Sequence, residues 1–138
     1  MENRRQYYRH LFTPGRRLRV QLGLPGSGAR YNGEVIDLSI GGMRVRLKDA
    51  IQPVPGDDQL LAEISRKSGA EVEFQLGLTA DIVHSEAHAD TRDYGIRFLP
   101  VQNAAASETR ERAIWRFLIQ EQRRTRLAMR DEDATLAS

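Results

Sequence analysis

Cysteine is absent from the 138 residues, which excludes disulfides, thiolate metal sites, iron–sulfur ligation and cysteine nucleophiles together. Aromatic residues make up only 7% of the chain, and no apolar run approaches the roughly 20 residues that a membrane-spanning helix requires. Membrane insertion is therefore not expected. An excess of one charge is lacking too: 21 lysines and arginines face 19 aspartates and glutamates, for a formal net charge of +2. Positive charge can matter only where it is concentrated. Three histidines are available as bases, and no serine sits in a nucleophile-elbow setting, so the sequence offers an enzyme almost nothing to work with. The first residues, MENRRQYYRH, lack the apolar stretch of a secretory signal, which implies a cytoplasmic protein.

What is present suits one globular domain with a single core, since 40% of residues are hydrophobic and 29% charged. Between Arg16 and Phe98 the dominant signal is alternation. In RRLRVQL, Leu18, Val20 and Leu22 alternate with Arg17, Arg19 and Gln21, and in MRVRL, Met43, Val45 and Leu47 alternate with Arg44 and Arg46. Both patterns predict half-buried strands. VEFQLGLTADIV and YGIRF repeat the pattern, and GEVIDL and LLAEIS supply two further short strands. Turn signals at LPGSGARYNG, SIGG, PVPGDD, KSGAE and EAHADTRD separate them. The expected fold is all-β with a C-terminal helix, the strands forming a six-stranded antiparallel barrel.

The period changes after NAAASE. From Ser107, read as the N-cap, Ile114, Phe117, Leu118 and Ile119 fall at helical spacing, and Glu108 and Arg112 are set for an i,i+4 ion pair. The predicted organisation is a flexible arm over 1–15, a barrel over 16–105, a helix over 106–130 that starts near Glu108, and a disordered tail over 131–138.

Two near misses are set aside. GLPGSGAR has the glycine separation of a phosphate-binding P-loop, but Ala29 and Arg30 stand where that loop needs Lys followed by Ser or Thr. It reads as a hairpin loop. HSEAH spaces His84 and His88 by four, yet zinc ligation at that spacing needs a helix, and strand signals lead into the segment. A surface turn is the expectation, and no metal site.

Two stretches remain. RRQYYR, residues 4–9, concentrates three arginines on the arm, and DLSIGG, residues 37–42, leaves one strand and turns into the next. Taken alone, Asp37 and Ser39 suit turn formers that bond local backbone, and the glycines suit a tight hairpin. Together the stretches resemble the PilZ domain family, whose pattern is RxxxR followed some tens of residues later by [D/N]xSxxG. Arg5-Gln-Tyr-Tyr-Arg9 matches the first part and Asp37-Leu-Ser39-Ile-Gly-Gly42 the second. The resemblance implies a six-stranded PilZ barrel and a receptor for the bacterial second messenger cyclic di-GMP. The implied ligand residues are Arg4, Arg5, Arg9, Asp37, Ser39, Gly41, Gly42 and, in the fifth barrel strand, His84. Arg4, directly before the motif, is similar to an arginine that in family members favours a stacked pair of ligands, so two molecules of cyclic di-GMP per chain are implied. No other cofactor is.

The residue chemistry suits that ligand. A guanidinium fork binds phosphate bidentately and grips O6 and N7 of guanine, and its plane can lie on a purine face. Asp37 can accept from guanine N1 and N2 hydrogens. ERAIWRFLIQEQRRTR resembles the helix that closes the PilZ domain of flagellar brake proteins of the YcgR type, which implies output through a protein partner such as a flagellar motor or exopolysaccharide component. Those proteins carry a further N-terminal domain, so an adaptor acting on another target fits equally. Two rival functions are weighed: a PilZ-like interaction module that does not bind nucleotide, and a nucleic-acid binder. The second is disfavoured because the strands show no run of exposed aromatics for base stacking.

Overall fold

The computed structural model describes residues 8–26, 28–49, 51, 59–101 and 103–137, with side chains through residue 127. The described strands are β1 (Arg9–Leu11), β2 (Leu18–Gly23), β3 (Arg30–Ser39), β4 (Gly42–Leu47), β5 (Leu60–Ser68), β6 (Glu71–His88) and β7 (Thr91–Phe98). A 3₁₀ turn, Pro14–Arg16, precedes β2, and one long helix, α1 (Ala104–Ala137), follows β7.

Alternation determines which face of each strand is buried. Leu18, Val20 and Leu22 of β2 and Met43, Val45 and Leu47 of β4 are each no more than 3% exposed, while Arg44 and Arg46 between them point outward. Strands β3, β2, β5, β6, β7 and β4 pair in that order, every pair antiparallel, and β4 pairs back onto β3. The six strands therefore form a closed ring, as the alternation and turns predict, and closure leaves no long free edge. The hairpin at GLPGSGAR joins β2 to β3, with Gly28 at φ 73° and Leu24 and Ala29 hydrogen-bonded at 2.9 Å.

The helix packs on this ring through Ile114, Phe117 and Leu118, all buried. Phe117 stacks on Phe74 of β6 at 4.3 Å and tilts against Phe12 at 6.2 Å. The Glu108–Arg112 ion pair forms, at 2.8 Å. The helix begins at Ala104, four residues before Glu108, because Asn103 is the cap: its Oδ1 accepts from the Ala106 amide at 2.7 Å. Ser107 lies inside the first turns. Residues 131–137, where a disordered tail was expected, continue the helical backbone.

Two other segments differ from the sequence-based expectation. His84–His88, expected as a surface turn, is part of β6, because β7 offers a paired partner out to His88↔Thr91. The arm carries a short strand: β1 (Arg9–Leu11) pairs with the far end of β3, at Arg9↔Ser39, His10↔Leu38 and Leu11↔Asp37. Phe12, just beyond, is 2% exposed and joins the core, so burial of one aromatic ties down a segment whose own pattern is polar.

Candidate functional site

The DLSIGG segment is the end of β3 and the turn into β4. Ser39 is buried and serves that turn: its hydroxyl accepts from the Gly42 amide and donates to the Gly42 carbonyl, both at 3.2 Å. The Gly41 carbonyl accepts from the Phe98 amide at 2.9 Å, which ties the turn to β7. A Cβ on Gly42 would lie 2.3 Å from the Ile96 carbonyl oxygen, so the absence of a side chain there is required by the neighbouring strand. Gly41 has open space around it. Ser39 and Gly42 thus act on the protein's own backbone, the turn-forming role those residue types suggested.

Asp37, one strand repeat before Ser39, is half-buried and faces outward. Its Oδ1 accepts from the Arg44 amide at 3.2 Å and forms an ion pair with Arg9. The last arginine of RxxxR and the first residue of DxSxxG, 28 positions apart, are therefore in direct contact. Strand alternation explains the placement: β1 sends Arg9 and Leu11 to the exposed side, while Tyr8, His10 and Phe12 turn toward the helix. Tyr8 meets Trp115 edge-on at 5.7 Å, and His10 meets Phe12 at 4.8 Å. Burial lowers the pKa of His10, which favours its neutral form there.

Arg9 and Asp37 form one wall of a cleft of about 290 Å3, whose other sides include Arg44, Val83, His84 and Glu86. A register shift between Ile82 and His84 in β6 re-aims this wall. His84 is opposite Gly95 in β7, where a Cβ would come within 3.2 Å of the His84 Cβ. Its side chain is 67% exposed, and its Nε2 lies 3.7 Å from Glu86. Val83 is 54% exposed beside it. Asp93 lies at the base of the cleft, 1% exposed. It accepts from Arg46 Nε at 2.7 Å, Arg46 Nη2 at 3.0 Å and Arg44 Nε at 3.1 Å. The Arg46 hydrogen bonds outweigh burial and hold the Asp93 carboxyl below its usual range, so this charge is permanent near neutrality.

The structure thus brings Arg9, Asp37 and His84 to one cleft. Ser39, Gly41 and Gly42 form the adjoining turn. Arg4 and Arg5 lie outside the described residues. Sequence reasoning missed Arg44, Glu86 and Asp93; alternation points Arg44 outward, but only the β4–β7 register reveals that Asp93 holds it. Chemically, the cleft combines exposed guanidinium groups, which can bind phosphate, with carboxylates that can accept from a base edge. Among the described residues, no cluster of histidines and carboxylates could hold a metal ion, and no helix is long and apolar enough to cross a membrane.

A family model described as PilZ domain matches residues 3–120. Among solved structures, the chain is similar to YcgR in complex with c-di-GMP from Escherichia coli, with a TM-score of 0.66 and 18% identity over 90% of this chain and 48% of that one. The PilZ domain of the same protein with c-di-GMP aligns at TM-score 0.65 and 20% identity, covering 92% of this chain and 98% of the domain. The inhibitor of motility MotI/DgrA of Bacillus subtilis aligns at TM-score 0.66 and 20% identity, over 91% of this chain and 54% of that one. The chain thus spans about half the length of the full YcgR and MotI chains. No curated protein sequence matches it significantly.

Proposed function

Because the chain belongs to the PilZ domain family, we propose that it is a receptor for cyclic di-GMP that changes its contacts with a protein partner, without catalysis, when the ligand binds. The observation that carries this reading is the meeting of Arg9 and Asp37, one residue from each motif, in a cleft that also holds the exposed His84. The two Escherichia coli structures similar to this chain contain cyclic di-GMP.

The Arg9 side chain is 50% exposed, so exchanging a carboxylate partner for a phosphate or a guanine edge costs it little desolvation. With Arg9 drawn onto the ligand, Asp37 is free to accept from guanine N1 and N2 hydrogens. Arg4 and Arg5 then close from the arm as ligand phosphates neutralise their charge. Arg4 supports a stacked pair of ligands per chain. Output runs through β1, which carries Arg9, and through Tyr8 directly before it, which meets Trp115 of the helix. A motor or exopolysaccharide component in the cytoplasm is the class of partner this reading implies.

The local roles of Ser39 and Gly42 favour a second reading, a PilZ-type interaction module that binds no nucleotide, because neither residue requires a ligand to explain it. Calorimetric titration with cyclic di-GMP, with cyclic di-AMP and GTP as controls, separates the two. The receptor reading expects saturable binding of cyclic di-GMP alone at a stoichiometry near two, weakened about a hundredfold in an Arg5→Ala, Arg9→Ala variant. A folded protein that gives no binding by calorimetry or by a second method overturns it and leaves the interaction module.

A further inference from the structure

A second cleft, of about 570 Å3, lies along the outer faces of β2, β3 and β4. It shares no lining residue with the cleft that holds Arg9 and Asp37. Its volume falls within the usual range of small-molecule sites, roughly 300–1,000 Å3.

Its charge is unusual for this protein. Most described arginines of the strand ring are engaged: Arg17 with Glu34, Arg44 and Arg46 with Asp93, Arg66 with Glu73 and Glu121, Arg97 with Asp81. Among the described residues, Arg19, Arg30 and Lys48 have no ion pair and no side-chain hydrogen bond, and all three line this one cleft. The pairing register brings them together. Arg19 of β2 is opposite Glu34, Arg30 is at the start of β3 opposite Gly23, and Lys48 follows Leu47, which is opposite Gly33.

The two carboxylates in the lining do not cancel these charges. Glu34, which pairs with Arg17 at 3.2 Å, and Asp49 supply two negative charges against the three cations Arg19, Arg30 and Lys48. The Asn32 carbonyl accepts from Gln21 Nε2 at 3.3 Å, which leaves the Asn32 amide hydrogens to donate. The remaining acceptors in the lining are Asp49, Glu34 and the Tyr31 and Thr91 hydroxyl oxygens, and its unpaired charge is positive on balance. Two guanidinium forks and an ammonium in a concave site match the several oxygens of a condensed phosphate better than they match separate carboxylates.

We infer that this cleft is a second anion site, distinct from the cyclic di-GMP cleft, that takes a small oligophosphate-bearing molecule, held by Arg19, Arg30 and Lys48.

Inorganic tripolyphosphate is the probe, titrated by calorimetry at low and at physiological salt into the wild type, Arg9→Ala, and an Arg19→Gln, Arg30→Gln, Lys48→Gln variant. Circular dichroism checks that each is folded, and an Arg19→Gln, Lys48→Gln pair serves if the triple variant is not. The expected result is one-to-one binding that survives Arg9→Ala and weakens about tenfold or more when the three cations are removed. Loss in Arg9→Ala with retention in the triple variant would place the anion in the first cleft and overturn the inference. So would the absence of any binding, or selective binding of a polyglutamate peptide in place of tripolyphosphate, which would make the cleft a docking surface for an acidic protein.

Discussion

The pairs Arg9–Asp37 and Arg66–Glu121 make the same chemical bond in different surroundings. The first is open, with side chains 50% and 13% exposed; the second is enclosed, at 11% and 2%. Around Glu121, Arg16 donates at 2.7 Å, and Arg66 reaches Glu73, the Arg16 carbonyl and the face of Phe117. This cluster joins the helix to β5, β6 and the 3₁₀ turn. Arg9 and Asp37 join only β1 to β3, which backbone pairing already connects. Where water can replace a partner, an ion pair is exchangeable and available to a ligand; where it cannot, the pair acts as a fastener whose loss strands a charge.

Breaking the enclosed cluster has the largest expected effect. Glu121→Ala leaves two arginines without their shared carboxylate and should cost about 3 kcal/mol of stability, measured by urea unfolding. Breaking the open pair should not behave this way. Arg9→Ala is expected to change stability by no more than about 0.5 kcal/mol in the same assay, while it weakens ligand binding. A stability loss as large as that of Glu121→Ala would show that the open pair, too, is a fastener.

Acid sharpens the contrast further. Burial pushes the Glu121 carboxyl up, but hydrogen bonds from Arg66 and Arg16 outweigh it and hold the pKa below its ordinary 4.5; Arg46 does the same for Asp93, below 3.8. A depressed folded-state pKa contributes stability that is present above the ordinary value and lost as pH falls through the depressed one. Stability should therefore decline below about pH 4.5, and more shallowly in Glu121→Gln than in the wild type, as followed by unfolding midpoints across the acid range.

Much of the fold was legible because alternation is a local signal with a direct physical meaning. Met43, Val45 and Leu47 point inward wherever the strand goes, and the ring follows from several such strands joined by short turns. The three residues of β1 carry no such pattern. Arg-His-Leu becomes a strand only because β3 is long enough to pair with it beyond the end of β2. The helix start was misplaced by four residues because Asn103 and Ser107 are both good caps, and the chain leaving β7 selects the earlier one.

The site divides in the same way. Arg9 and Asp37 could be named from their motifs, whereas Arg44, Glu86 and Asp93 meet through register between β4, β6 and β7, which no local spacing encodes. Gly42 could be singled out from its motif, but the reason for it, an Ile96 carbonyl where a Cβ would be, belongs to the packed structure. By itself, then, the sequence determined the strand ring, the terminal helix and the two motifs, because hydrophobic period and residue type act over a few positions. Only the tertiary structure decided which charges face each other and which are shut away from water, because cross-strand register and burial arise from the closed ring as a whole.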